Sequence, residues 1–142
     1  MVERETKQVR AVQIKSAKTP DLQDVIYATV QEGSHICTDS YSGYDVLNWN
    51  SKHDIVKHCV GEYVKIDSKT AFKIHTNSIE EFWSLLRRGI NGTHHWVSKK
   101  HIQRYLNDFS FRYSNRELET VQIFESIFQN TNVPLTYKQL IA

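Results

Sequence analysis

Residues 75–89, with the sequence HTNSIEEFWSLLRRG, carry the strongest structural pattern in this chain of 142 residues. Apolar residues recur there at helical spacing, namely Ile79, Phe82, Trp83, Leu86 and Ile90. This spacing predicts a helix that is buried along one face. Thr76 or Asn77 can cap its first turn, and Gly89 is expected to end it.

The predicted helix also has a polar face whose side chains could bind a metal ion or a phosphate. Glu80 and Arg87 lie seven residues apart, so they share this face, two turns from each other. A carboxylate with an arginine aligned behind it suits metal and phosphate chemistry. Glu80 can equally complete a capping box, and Arg87 can equally be an ordinary surface residue. The spacing alone favours these structural roles.

Asp39 ends a predicted strand, residues 34–39, and precedes a loop that contains a glycine. Folds of the α/β class place metal ligands and acids at such strand ends, where the strand holds them rigidly. With Glu80 it would make a carboxylate pair suited to Mg²⁺ or Mn²⁺, which activate water or a hydroxyl in phosphodiester chemistry. An Asx-type cap of loop 40–43 is the alternative, which Asp39 taken alone favours.

Composition narrows the class of protein. The chain is 39% hydrophobic and 24% charged, as expected of one soluble globular domain. It has no apolar run of membrane-spanning length and no signal-peptide core. Cys37 and Cys59 form no CxxC pair, which indicates reduced thiols in a cytoplasmic protein. His94 and His95 are adjacent and lack further ligands at zinc spacing, so zinc is not predicted.

Basic charge is concentrated in residues 73–116, which contain eight Lys and Arg against three Asp and Glu. Such a distribution is typical of a surface that faces a polyanion, although a solvated face without a partner fits equally well. Trp96 lies near Lys99, Lys100 and Arg104, and this arrangement can stack on a base and hold phosphates. Alternatively, Trp96 packs as a hydrophobic staple onto a helix beginning at Ser98.

The remaining pattern predicts the element order β-β-α-β-α-β-α-α-α, an α/β fold with a mixed sheet. Two strands span residues 2–14 around a turn at 5–8, a helix starts at Thr19, a short helical stretch covers 44–49, and a strand covers 54–60. A final helix, about residues 117–129, is expected to bury Leu118, Val121, Phe124 and Phe128. Residues 1–130 form one domain, and 131–142 form a loosely ordered tail.

Three runs of sequence together resemble a known family. They are ICTDSYSGY, VKHCVGEYV and HTNSIEEFWSLLRRGINGTHHWVSKKHIQRYLNDFSFRYSNR. Over residues 2–116 the chain resembles the catalytic domain of ISXO2-like (IS1595-family) insertion-sequence transposases. The resemblance implies a DDE transposase with an RNase H-like fold, which uses two metal ions, Mg²⁺ or Mn²⁺, to cut and join DNA. Its implied partners are DNA, as transposon ends and target, and no membrane; a homo-oligomer is left open.

The resemblance also implies roles for individual residues. Asp39 matches the second catalytic aspartate, and Glu80 matches the acidic residue of the HTN-x-I-E motif. Asn77 competes with Glu80 for the third catalytic place, and Arg87 stands where the family usually has lysine. Metal would be held by Asp39 and Glu80. DNA would be contacted by Arg87, Arg88, Trp96, Lys99, Lys100 and Arg104.

One departure from the family concerns the start of the domain. In the family, the first catalytic aspartate lies on a strand upstream of the strand that begins here at Val2, and that strand is absent. We therefore expect an RNase H-like mixed sheet flanked by helices, without its first strand and followed by C-terminal helices. The predicted protein is an N-terminally truncated transposase that is inactive alone. The alternative is a non-catalytic DNA-binding remnant that uses the basic surface of residues 73–116.

Overall fold

The computed structural model describes residues 1–44, 52–131, 134 and 136–138. The helices and strands within these ranges are α1 (Thr19–Tyr27), β1 (Ile36–Asp39), β2 (His53–Val56), β3 (Lys65–Ile66), β4 (Lys73–Ile74), α2 (Asn77–Gly89), α3 (Ile102–Ser114) and α4 (Thr120–Asn130). The predicted α/β class is confirmed. Tyr44, the first residue of the predicted helical stretch at 44–49, ends a short 3-10 helix, Ser42–Tyr44. The rest of that stretch and most of the predicted tail lie outside the described residues.

The strands form two separate pairs. Strands β1 and β2 are parallel, with Asp39 opposite Val56, and β3 and β4 are antiparallel. The single mixed sheet that the sequence predicted is not seen among the described residues, and the RNase H-like arrangement stays a prediction. The predicted strand at 54–60 stops at Val56, because the chain then turns into a short 3-10 helix, His58–Val60.

The two predicted N-terminal strands are reduced to one antiparallel bridge between Val2 and Val9. This hairpin docks through Arg4, whose guanidinium donates to the carbonyl oxygens of Lys73 and His75. The same guanidinium lies 4.9 Å from the centre of the Phe72 ring. One side chain therefore replaces the backbone ladder that would have joined the hairpin to β4.

The core lies between the N-terminal segment, α2 and α3. Its buried members are Ala11, Phe82, Leu86, Leu106, Phe109 and Tyr113. The Phe82 and Tyr113 rings meet edge to face, with centroids 5.6 Å apart. The predicted burial of Phe82 and Leu86 is confirmed. Trp83 remains 43% exposed, because it lies one residue around the helix from Phe82, at the margin of the packed face.

Gly89 is the last residue of α2, but it does not end the helix as a left-handed cap. The chain continues from it into a π-helical turn, Ile90–His94, and Gly89 itself has a helical φ of −64°. A β-carbon at this position would overlap the Phe109 ring of α3. The glycine is therefore needed for the close approach of two helices.

Two helix starts differ from the sequence prediction. Helix α3 begins at Ile102 instead of at Ser98, since residues 99–101 form a turn closed by the His101 amide donating to the Ser98 carbonyl oxygen at 3.1 Å. Helix α4 begins at Thr120 behind a capping box, in which the Glu119 amide donates to the Gln122 side chain at 3.0 Å. The helix itself was predicted correctly.

The predicted buried face of α4 is wrong. The exposed side chains on this face are Leu118, Val121, Phe124, Ile127 and Phe128. Phe128 is 69% exposed, and no described side chain of α4 is buried. Helical periodicity predicted the helix correctly but could not indicate how exposed this face is among the described residues. Among the described residues, no helix has the length and apolar character needed to cross a membrane.

Candidate functional site

The carboxyl ends of the parallel pair place Asp39 beside the end of β2. Asp39 is the last residue of β1 and lies opposite Val56, the last residue of β2. Its side chain is exposed, and its Oδ1 accepts a hydrogen bond from the Tyr41 amide at 3.2 Å. The Asx-type contact anticipated from the sequence is therefore present, and it uses one carboxylate oxygen.

Glu80 lies in a network at the start of α2. Its Oε1 accepts a hydrogen bond from the Thr76 hydroxyl at 2.6 Å and lies 3.1 Å from the His58 Nε2. The Thr76 Oγ1 lies 2.7 Å from the same nitrogen. Since the Thr76 hydroxyl has one proton and gives it to Glu80, His58 must donate through Nε2. This fixes the tautomer of His58.

The capping role predicted for Glu80 is not realised. Thr76 occupies the N-cap position, but no side-chain cap hydrogen bond is formed there. Thr76 is buried, and its hydroxyl is used to hold Glu80. The Glu80 side chain keeps 54% of its surface exposed. Its carboxylate is thus oriented from one side and accessible from the other.

Each predicted carboxylate has a neighbour at or just beyond the carboxyl end of β2. Asp39 lies opposite Val56 at the end of β2, and His58, two residues further along, contacts Glu80. Parallel strands end at a common edge, which is where α/β folds collect reactive groups. His58 therefore connects the end of β2 to Glu80 on α2. The sequence had indicated His58 only as a core or near-site residue.

The donor set of this edge fits a divalent cation in part. Mg²⁺ is usually bound by one or two carboxylates together with waters and substrate phosphates, and Asp39 and Glu80 supply that type of ligand. Within the described ranges 1–44 and 52–131, no group of three or more His, Cys, Asp and Glu side chains gathers as a metal cluster.

Two other predicted site residues lie on the same helix. Asn77 is the first residue of α2, next to Thr76, and it is exposed. Arg87 lies in the last turn of α2 and is also exposed, as is its neighbour Arg88. Nothing in their surroundings decides whether Asn77 or Glu80 takes the third catalytic place.

The predicted DNA-contacting residues lie between the end of α2 and the first turns of α3. Trp96 is 76% exposed, so the alternative that it staples a following helix is wrong. Lys99, Lys100 and Arg104 are exposed as well. An open groove of about 450 Å³ includes part of this segment and is lined by His94, His101, Arg104, Tyr105 and Asp108. The basic residues predicted from the sequence to contact DNA are therefore exposed.

Sequence reasoning missed the roles of Thr76 and Arg4. Thr76 was expected to cap backbone amides, whereas it links His58 to Glu80. Arg4 donates hydrogen bonds to the strand that leads into α2. Burial is the largest cause of the lowered pKa of His75, and the positive charge of Arg4 is the next largest. Neither role could be read from local sequence, because His58 lies 18 positions from Thr76 and His75 lies 71 positions from Arg4.

Comparison with known proteins gives one match. A family model described as the ISXO2-like transposase domain matches residues 1–114. No curated protein and no solved structure matches the chain. Since the matched residues make up well over half of the sequence, the chain belongs to the family of ISXO2-like transposase domains.

Proposed function

We propose that this chain takes part in the cleavage and strand transfer of an insertion sequence by binding its DNA and supplying two carboxylates at the reacting strand. Two observations support the proposal: Asp39 lies at the carboxyl end of β1, opposite the last residue of β2, and Glu80 contacts His58, two residues beyond that end of β2. Membership of a transposase family supports DNA as the substrate.

In this proposal each residue has a separate task. Asp39 and Glu80 hold Mg²⁺ or Mn²⁺, which supplies Lewis-acid activation of a water or hydroxyl and stabilises charge on phosphate oxygens. His58 and Thr76 orient the Glu80 carboxylate through the hydrogen bonds described above. Arg87 binds a phosphate of the DNA strand, and Asn77 is the competing ligand to Glu80.

A second candidate function is DNA binding without catalysis. It is favoured by the small donor set, since the described ranges contain no metal cluster of three or more ligands. The basic segment would then bind the phosphate backbone by itself. The two candidates differ in whether Asp39 and Glu80 bind a metal ion.

The test combines Mn²⁺ titration, followed by electron paramagnetic resonance, with DNA binding and cleavage assays on duplex carrying transposon ends. The variants are Asp39→Asn and Glu80→Gln, which remove charge and preserve shape. Glu81→Gln is the matched control, because the neighbouring Glu81 carboxylate accepts a hydrogen bond from the Tyr113 hydroxyl at 2.8 Å. Asn77→Ala tests the competing ligand.

We expect Asp39→Asn and Glu80→Gln each to weaken Mn²⁺ binding at least about tenfold, and Glu81→Gln to leave it unchanged. A loss with Asn77→Ala but none with Glu80→Gln would transfer the third place to Asn77. If Mn²⁺ binding ignores every variant while DNA binding persists, the catalytic proposal fails and the second candidate remains.

A further inference from the structure

The turn between α2 and α3 is strained. It contains a π-helical segment, Ile90–His94, and π-helical turns are rare and frequently lie at functional sites. His95 follows with φ of 59° and ψ of −37°, in the region that non-glycine residues seldom adopt. The amides of His95 and Trp96 donate to the carbonyl oxygens of Ile90 and His94, each at 2.6 Å. Backbone strain of this kind persists where the surrounding structure imposes it.

The effect of the turn is to hold an indole in solvent. Trp96 is 76% exposed, whereas tryptophan is highly buried on average in folded proteins. An exposed indole gives up the stabilisation that burial of a large aromatic surface provides. A strained backbone and an unburied indole at successive positions together point to a ligand that covers the ring.

A groove that begins at this turn offers groups that suit a nucleotide. His94 lies two residues before Trp96 and lines the groove together with His101, Arg104 and Tyr105. The His94 and Tyr105 rings meet edge to face, with centroids 4.8 Å apart, which gives the groove an aromatic wall. Its volume of about 450 Å³ lies within the range of about 300–1,000 Å³ for small-ligand sites.

The groove also contains one acidic residue. The Asp108 carboxylate accepts two hydrogen bonds, each of 3.0 Å, from the Arg112 guanidinium one helical turn away. This ion pair offsets the negative charge at that end of the groove. The remaining charged residues of the turn and groove are basic, which favours an anionic ligand.

We propose that Trp96 and this groove, defined by His94, His101, Arg104, Tyr105 and Asp108, bind an unpaired nucleotide of single-stranded DNA. The base stacks on the Trp96 indole, and its phosphate lies toward Arg104 and His101. A duplex cannot make this contact at an interior position, since both faces of each base are covered by its neighbours. The inference rests on the proposed DNA substrate and specifies that the strand end is unpaired.

The test measures fluorescence anisotropy of a labelled single-stranded oligonucleotide and of a blunt duplex with the same length. Trp96→Ala removes the stacking surface, and Trp96→Phe restores an aromatic face. Tyr137→Ala is the matched control, because Tyr137 is an aromatic residue that is 75% exposed outside this segment. Circular dichroism of each variant checks the fold, which an exposed side chain should barely affect.

We expect Trp96→Ala to weaken single-strand binding by about 5- to 150-fold, the range given by base stacking of about 1–3 kcal/mol. Duplex binding should change less than about twofold, and Trp96→Phe should recover most of the single-strand affinity. An unchanged ratio of single-strand to duplex affinity in Trp96→Ala overturns this inference alone. If the wild-type chain binds neither DNA, the proposed function fails with it.

Discussion

Thr76 has a larger role than its position suggests, because its hydroxyl both accepts a hydrogen bond from His58 and donates one to Glu80. Replacing Thr76 by Val preserves the volume and removes both hydrogen bonds. We expect a loss of about 1 kcal/mol in the free energy of unfolding, measured by urea denaturation, because two hydrogen bonds of a partly buried network are lost. Thr76→Ser keeps the hydroxyl and should cost less. If Thr76→Val were as stable as wild type, the hydrogen bonds of Thr76 would not contribute to the stability of the fold.

Gly89 and Gly92 offer a matched comparison of two glycines in one turn. A β-carbon at Gly89 would overlap the Phe109 ring, whereas one at Gly92 would meet nothing within 4 Å. Neither residue has a positive φ. Gly89→Ala should therefore destabilise the protein by about 1–3 kcal/mol through overpacking. Gly92→Ala should be neutral or stabilise it by up to about 1 kcal/mol. Thermal unfolding of both variants measures this difference in stability, and equal melting temperatures would contradict this explanation.

At the level of residues, the sequence predicted identities better than contacts. The family resemblance marked Asp39 and Glu80 as candidates, whereas spacing alone favoured structural roles, and the structure gives each a defined neighbourhood. The contact between His58 and Glu80 could not be read from spacing, since 22 positions of sequence separate the two residues. Gly89 was expected to end α2, but the structure requires glycine there because the Phe109 ring of α3 packs against it.

Elements with strong periodicity were predicted well, and short strands poorly. The apolar stripe of α2 is long enough to outweigh local ambiguity, and Phe82 and Leu86 are buried as expected. Strands β3 and β4 have two residues each, too few for any alternation to show. The ends of the polar connection between them are joined by the Asp67 amide donating to the Phe72 carbonyl oxygen at 2.9 Å.

Helices α2 and α4 should differ in how much their aromatic residues stabilise the fold. Phe82 is fully buried in the core, while Phe124 is 57% exposed on α4. Phe82→Ala should cost about 3–5 kcal/mol in the free energy of unfolding. Phe124→Ala should lie within about 0.5 kcal/mol of wild type, as surface substitutions usually do. Urea denaturation compares them, and a large cost for Phe124→Ala would mean that its face is covered in solution.

The connection between β3 and β4 is predicted to be sensitive to pH. The Lys52 ammonium, hydrogen-bonded to Asp67, holds the pKa of this carboxyl well below its usual range, and the Lys69 amide contributes further. A depressed carboxyl pKa adds stability above the unfolded value of about 3.9, and this stability is lost as the pH falls. Asp67→Asn should thus be less stable than wild type at neutral pH, with a difference that shrinks below about pH 4. Urea midpoints across this range check it; a constant difference would contradict the assignment.

For the whole molecule, the sequence predicted the class of fold and the distribution of charge. The α/β class followed from the order of periodic segments, and the basic stretch corresponds to exposed side chains. The single mixed sheet could not be tested by periodicity, because strand pairing depends on contacts between distant segments. In the described residues the hairpin is attached by Arg4 in place of a ladder.

Binding of DNA by the basic segment should depend steeply on salt. Each phosphate contact that is lost reduces the slope of log affinity against log salt concentration by about 1. Arg87→Ala combined with Arg88→Ala should therefore lower the slope by up to about 2. Lys65→Ala, an exposed lysine on β3, is the control and should leave it unchanged. Anisotropy titrations at several salt concentrations measure this. An unaltered slope in the double variant would mean that the DNA phosphates do not contact Arg87 and Arg88.

The hydrogen bonds from Arg4 to the carbonyl oxygens of Lys73 and His75 affect the order of folding. The contact spans 71 positions, so it closes a long loop and is entropically slow to form. During synthesis the hairpin must wait until β4 has left the ribosome before it can dock. The surroundings of Glu80 begin one residue beyond that contact, at Thr76. We therefore expect them to mature late, after the packing of helices α2 and α3 has begun.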